Sequence, residues 1–305
     1  FGFAPQEIGL YPSSDADLDA GIADVRADAS SVNPERKSLS RTRLSVLEAL
    51  ADNSLRVVVA PVQSALRETL GPVAEHRIVL TQSGSVNLTE LARQLADRAY
   101  ERVPMVETSG QFAIRGGLLD VWPSTHPAPV RLELFGDEVE SLREFDPETQ
   151  RSVRNLEQVT ILPAAELLSS ASSVRGTYTL LEHLPAGSVV LLDEPNHLRS
   201  QWMDGREREK QRLQAARDSE KVLPTHLAVM TSGIEMDEFL RRAQNFRLVL
   251  LTLLAQSIPW MRKLLDQCEK AVINSGVVDA VHGDIAELAN RIRSWIGAGN
   301  QVVVA

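Results

Sequence analysis

An acidic pair closes the run Val190-Leu191-Leu192-Asp193-Glu194-Pro195. At the carboxyl end of a parallel strand, such an aspartate helps to hold Mg²⁺ in a nucleotide hydrolase. That chemistry also needs a G-x-x-x-x-G-K-[ST] loop to cradle the phosphates, and none of the 17 glycines begins one. The other reading of the pair is a capped strand end before a proline turn. Asp193 and Glu194 are therefore read as the relic of a nucleotide site. Six histidines (His76, His126, His183, His197, His226, His282) show no metal-ligand spacing with one another or with the single cysteine, Cys268. No G-x-S-x-G elbow occurs, and Arg115-Gly116-Gly117 is too short for a dinucleotide fingerprint. The expectation is a chain without catalytic residues, metal or cofactor.

Recognition chemistry is better represented. Along a strand, alternate residues share a face. In Val130-Arg131-Leu132-Glu133-Leu134-Phe135 the aliphatic residues fall on one face, and Arg131, Glu133 and Phe135 fall on the other. An aromatic on the polar side is out of place in a simple core. In the strand before it, Phe112 and Ile114 point inward and Arg115 outward, with the following glycines able to bulge the strand. If these segments pair as a meander, Arg115, Arg131 and Phe135 share one surface, and arginine beside an aromatic is typical of interface hot spots. Alternatively, Phe135 bends into a second small core or under the neighbouring helix, and parity alone does not separate exposure from burial. Glu133, Asp137, Glu138 and Glu140 crowd the same hairpin, which favours an acidic or mixed protein surface over nucleic acid as the partner.

The elements that would position these residues follow from periodicity. Short apolar runs at 55–60, 188–192, 246–254 and 302–305 read as strands of a parallel sheet covered on both faces. Helical patterns lie at 34–50, 164–184, 201–221, 234–244 and 285–296. Residues 76–163 differ. Asn87 caps a helix, Glu90 is placed to reach back as in a capping box, and Leu88, Leu91 and Leu95 form its apolar face. Three antiparallel segments follow at 112–121, 130–135 and 138–145, joined by turn-prone links. The balanced charge run 204–221 reads as a solvated helix or a connector.

Length and composition agree with a globular α/β chain. The 305 residues suggest two or three domains, 43% are hydrophobic, and the formal net charge is −9. That charge argues against wrapping nucleic acid through bulk positive potential. The most apolar run, 248–255, is too short to span a membrane, and no secretory signal opens the chain. A lone cysteine suits a reducing, cytoplasmic setting. The first residue is Phe1 and the last run, 301–305, is strand-like, so the chain is read as a piece of a longer protein.

The stretches Gln111-Phe112-Ala113-Ile114-Arg115-Gly116-Gly117-Leu118-Leu119-Asp120-Val121-Trp122-Pro123, Pro129 to Leu142 and Phe145 to Ser152 closely resemble the bacterial transcription-repair coupling factors, in their UvrB-homology region. Weaker similarity runs through Val57 to Val62, Ile161 to Ala164 and Arg291 to Ala305. The resemblance implies an α/β fold: a degenerate helicase-like (RecA-type) parallel-sheet domain carrying an inserted small α+β domain, as in UvrB. The implied division is 1–75 (domain 1A), 76–165 (domain 2), 166–290 (domain 1B and the return to 1A) and 291–305 (the start of the next domain). It implies a non-catalytic adaptor that binds UvrA through Arg115, Arg131 and Phe135, the residues that parity exposes. It also implies docking of the same surface on C-terminal domains of the parent chain. RNA polymerase, double-stranded DNA and ATP hydrolysis would belong to parts of the parent outside these residues. UvrB's tyrosine-rich hairpin stacks on DNA, but here only Tyr11, Tyr100 and Tyr178 occur, with Tyr11 near the corresponding place. The alternative, an active UvrB-type damage-verification ATPase, therefore lacks both its phosphate loop and its hairpin.

Overall fold

A computed structural model describes residues 4–13, 34–165, 178–218, 233–253 and 257–272, with 290, 293, 294 and 297 beyond them. In chain order the elements are β1 (Ile8–Leu10), α1 (Pro34–Ala51), β2 (Val57–Val59), α2 (Val62–Leu66), α3 (Val73–His76), β3 (Ile78–Thr81) and α4 (Leu88–Asp97). Then come β4 (Glu101–Arg102), β5 (Gln111–Arg115), β6 (Leu118–Val121), β7 (Val130–Phe135), β8 (Glu138–Phe145), β9 (Ser152–Asn155) and β10 (Gln158–Ile161). The remainder are β11 (Val189–Asp193), α5 (Pro195–Asp218), α6 (Met236–Ala243), β12 (Arg247–Leu251) and α7 (Arg262–Leu265). The chain divides into two compact units, Phe1–Gln256 and Ser257–Ala305. The described part of the second holds a 3-10 turn at Pro259–Met261, α7 and the exposed Cys268. No described helix is long and apolar enough to cross a membrane.

The largest sheet has six strands in the order β4-β5-β6-β7-β8-β9, antiparallel throughout except for the parallel β4–β5 pair. The expected three segments become a larger sheet for two reasons. Residues 112–121 do not run on as one bulged strand. They fold back at Gly116-Gly117 so that Arg115 pairs with Leu118. Gly116 has φ +62, and a Cβ on Gly117 would lie 2.8 Å from the Leu134 carbonyl oxygen, so this tight return needs both glycines. The edge strands β4 and β9 are short and exposed along their length, and carry no apolar alternation by which to be recognised.

One face of this sheet packs on α4. Leu91 and Leu95 meet Phe112, Leu119, Val121, Val130, Leu132 and Leu142 in a core closed by Ile78, Leu80 and Ile161. The Asn87 side chain accepts the Glu90 N–H at 3.0 Å, as a cap should. The reciprocal half of the expected capping box is absent, because the Glu90 carboxylate takes hydrogen bonds from Arg93 and Gln94 instead. Those bonds, Arg93 first, hold the Glu90 carboxyl down at about 2.

The chain enters this unit along β3 and leaves along β10, which pair antiparallel with Ile78 opposite Ile161. Leu162 continues into a separate core, outside this unit, with Tyr11, Leu44, Leu47, Leu50, Leu70, Val73 and Leu180. Tyr100 secures the crossing: its hydroxyl donates to the Leu162 carbonyl at 2.7 Å and accepts from the Ser124 N–H at 3.0 Å. Burial pushes its phenol up to about 12, against about 10 when unfolded. A raised folded-state pKa contributes stability that is complete below the unfolded value and lost as pH climbs through the folded one. The unfolding midpoint is therefore expected to fall between about pH 10 and 12, a loss of roughly 2–3 kcal/mol. In Tyr100→Phe that pH dependence should vanish, with about 1–3 kcal/mol already missing at neutral pH because two buried backbone groups lose their partner. Urea titrations at pH 7 and pH 11 decide it, and an unchanged pH dependence in the variant would assign the loss elsewhere.

The expected parallel strands form at β2, β11 and β12, but in separate two-stranded pairs: β1 with β2, and β11 with β12. Each has one open face. In β11, Val190 and Leu192 are buried while Val189 and Leu191 are exposed, so coverage on both faces does not hold among the described residues. The run 302–305 and most of the expected helix 285–296 lie outside them. The expected helix 164–184 is overturned at its described ends: Pro163–Ala165 is not helical, and Leu180–His183 is a short 3-10 turn begun at Thr179. The helix expected at 201–221 begins earlier, at Pro195, where proline at the first position satisfies the helix start. Its charge run is not wholly solvated, since Glu209 is 6% exposed and pairs with Arg67 from beside α2.

Candidate partner-docking site

The second face of the six-stranded sheet carries the arginines. Residues Ala113, Asp120, Arg131 and Arg143 lie opposite one another across β5, β6, β7 and β8. Ala113 and Phe145, with Val106 and partly buried Val103 and Trp122, make a small second core there. Next to it the surface turns polar. Asp120, 1% exposed, is held from both sides. Its Oδ1 accepts Arg131 Nε at 2.6 Å, and its Oδ2 accepts Arg131 Nη2 at 2.9 Å and Arg115 Nη2 at 2.6 Å.

Arg131 is anchored further. Nη2 donates to Gln150 Oε1 at 2.9 Å and Nη1 to the Gln150 carbonyl at 3.3 Å. The guanidinium lies 4.4 Å from the centre of the Phe145 ring. Hydrogen bonding to Asp120 raises its pKa, so it stays charged. Glu133 is paired too, with Arg143 and with the Ser141 hydroxyl at 2.6 Å. The Arg131 side chain is only 15% exposed, whereas that of Arg115 is 48% exposed.

Phe135 does not bend into the second core. It is 80% exposed, at the end of β7 before Gly136 with φ +65. A register shift between Glu133 and Leu134 is absorbed in β8, where Glu140 is the additional residue, so β7 keeps its alternation and Leu134 still packs inward. The Leu134 N–H donates to the Gly117 carbonyl at 2.9 Å, which brings the β5–β6 return beside the β7–β8 tip. One sheet face thus carries an exposed ring at the β7–β8 tip, a half-exposed arginine at the β5–β6 return and, toward the other end of β7, a largely buried arginine. Sequence reasoning did not single out Asp120. Its signal was an aspartate inside an apolar strand, where that residue is depleted.

The acidic pair is placed differently. Asp193 ends β11 and is exposed. Glu194, at φ 48, turns into α5, and its carboxylate accepts the Leu253 N–H while its own N–H donates to the Leu251 carbonyl. Among the described residues no group of three His, Cys, Asp or Glu side chains could hold a metal. Tyr11 and Tyr100 are buried, so neither ring is presented for stacking on bases.

Residues 78–167, the helix and antiparallel sheet just described, match the UvrB interaction domain. The chain bearing it is similar to transcription-repair-coupling factors. It is 37% identical to that of Bacillus subtilis (strain 168) over 166 residues, which is 53% of this chain and 13% of the relative. Over 78 residues it is 50% identical to the Myxococcus xanthus factor, covering 26% of this chain and 6% of that one. The Staphylococcus aureus (strain Mu50) factor is 32% identical over 173 residues, 56% of this chain and 14% of the relative. The chain therefore spans a small part of the length of the curated relatives that it matches.

Proposed function

We propose that this chain is the non-catalytic adaptor region of a transcription-repair coupling factor, and that it docks UvrA through the sheet face bearing Arg115, Arg131 and Phe135. The observation that carries the proposal is Phe135, 80% exposed at the β7–β8 hairpin tip on the face that also carries the half-exposed Arg115. A large ring held in water at the end of a paired strand is an anchor awaiting a pocket. The surrounding acids Asp137, Glu138 and Glu140 are exposed, which suits a partner pocket with a basic rim.

In this proposal, 76–165 is the inserted docking domain, 1–75 and 166–290 belong to a degenerate RecA-type domain and its extension, and 291–305 opens the next. ATP hydrolysis, translocation on double-stranded DNA and contact with RNA polymerase belong to other parts of a cytoplasmic parent. A C-terminal region of that parent would compete for the same sheet face.

Calorimetric titration of the chain into purified UvrA tests the reading. Binding is expected, and Phe135→Ala should weaken it by about 1–4 kcal/mol. Circular dichroism and the urea midpoint should not move, since the ring buries little in the free chain. Equal affinity for both proteins would remove Phe135 from the interface.

A further inference from the structure

We infer that Asp120 is a positioning residue for docking: a buried carboxylate, itself fixed by Arg131, that presets Arg115 for the partner. The inference rests on the docking role proposed above. Its basis is a geometry that stability alone does not require. Asp120 sits within β6, flanked by Leu119 and Val121, each fully buried, and is itself 1% exposed. Burying a carboxylate is costly unless its lone pairs are filled, and apolar residues of like volume usually serve a fold as well or better. Asp120 fills its lone pairs with two arginines drawn from the strands on either side of it, β5 and β7.

The consequences for the two arginines differ. Arg131 donates four hydrogen bonds to Asp120 and Gln150, so it is fixed with 15% of its side chain exposed. Arg115 sits at the end of β5, immediately before the φ +62 glycine, where a long side chain would otherwise sample many rotamers. Asp120 holds it by Nη2 alone, and 48% of its side chain stays exposed on the sheet face that also bears Phe135. Ordering an arginine before association removes that cost from binding. The partner feature that fits is an acceptor, a carboxylate or a backbone carbonyl, set next to the apolar pocket for the ring.

Asp120→Asn keeps the shape and one acceptor oxygen while removing the charge. Its affinity for UvrA, measured by calorimetry, is expected to drop about tenfold or more. The discriminating measurement is a cycle with Arg115→Ala. If Asp120 acts through Arg115, the same Asp120→Asn change made in the Arg115→Ala background should alter affinity much less, within about threefold. Asp120→Glu, which restores the charge, should recover part of the loss. Equal losses in both backgrounds would mark a purely structural residue and overturn the inference, as would an Asp120→Asn variant that binds like the parent chain. No binding by the parent chain itself would remove the docking reading, and this inference with it. A urea midpoint for each variant separates lost docking from lost fold.

Discussion

Arg131→Ala is expected to destabilise the unit formed by residues 1–256 by about 3–5 kcal/mol, the cost of leaving a buried charge without its main partner. Three contacts vanish together: the fork on Asp120 at 2.6 and 2.9 Å, the bonds to Gln150, and the stack 4.4 Å from the Phe145 ring. Arg115 still reaches Asp120 Oδ2 at 2.6 Å, which favours the lower end of the range. Urea unfolding followed by circular dichroism should show a lower midpoint with little change in slope. An unmoved midpoint would mean that Asp120 does not depend on Arg131. The size of this effect changes how docking experiments read: a loss of UvrA binding in Arg131→Ala reports the sheet as much as the interface. The double change Asp120→Val/Arg131→Met resolves the two, because replacing a buried ion pair by apolar residues is often neutral or stabilising. It should recover the midpoint and still bind weakly.

The sheet face was legible from sequence because a period of two leaves little freedom. Once Val130, Leu132 and Leu134 are committed to a core, Arg131, Glu133 and Phe135 have only the other face. The two-residue turn at Gly136-Asp137 then fixes the hairpin. The same rule did not decide between an open Phe135 and a second core, since parity assigns a side and not a depth. Both features exist, and different phenylalanines take them: Phe135 stays in water and Phe145 is 1% exposed. The resemblance to coupling factors pointed to Phe135, and the structure places it in the open.

What escaped sequence reasoning was non-local. Arg115 and Arg131 are brought to one carboxylate by a register that depends on folding back at Gly116-Gly117, and reading 112–121 as one strand hides it. Glu90 was expected to reach back to Asn87. A charged partner one turn on competes better for a carboxylate than a backbone N–H, and Arg93 took it. The charge run 204–221 looked balanced and solvated. Composition does not reveal that Glu209 meets an arginine more than a hundred residues earlier, Arg67, in the shelter of Trp202 and α2.

The second core gives the other large effect. Phe145→Ala is expected to cost about 3–5 kcal/mol, from lost burial plus the cavity that remains among Val106, Ala113, Val103 and Trp122. The same ring floors the Arg131 guanidinium, so its removal should also loosen Asp120 and Arg115 and lower affinity for UvrA, although Phe145 itself is buried away from any partner. Phe135→Ala should give the opposite pattern, with weaker binding and an unmoved urea midpoint. Comparing the two phenylalanines by urea unfolding and calorimetry therefore separates the ring that makes the site from the ring that fills the partner. If Phe145→Ala cost less than about 1 kcal/mol, far under the usual range for a buried aromatic, Val106 and Trp122 would not be closing a core. The shelter that keeps Arg131 and Asp120 from water would then have to come from the 146–151 turn through Gln150. That turn is tied to the sheet by the same arginine.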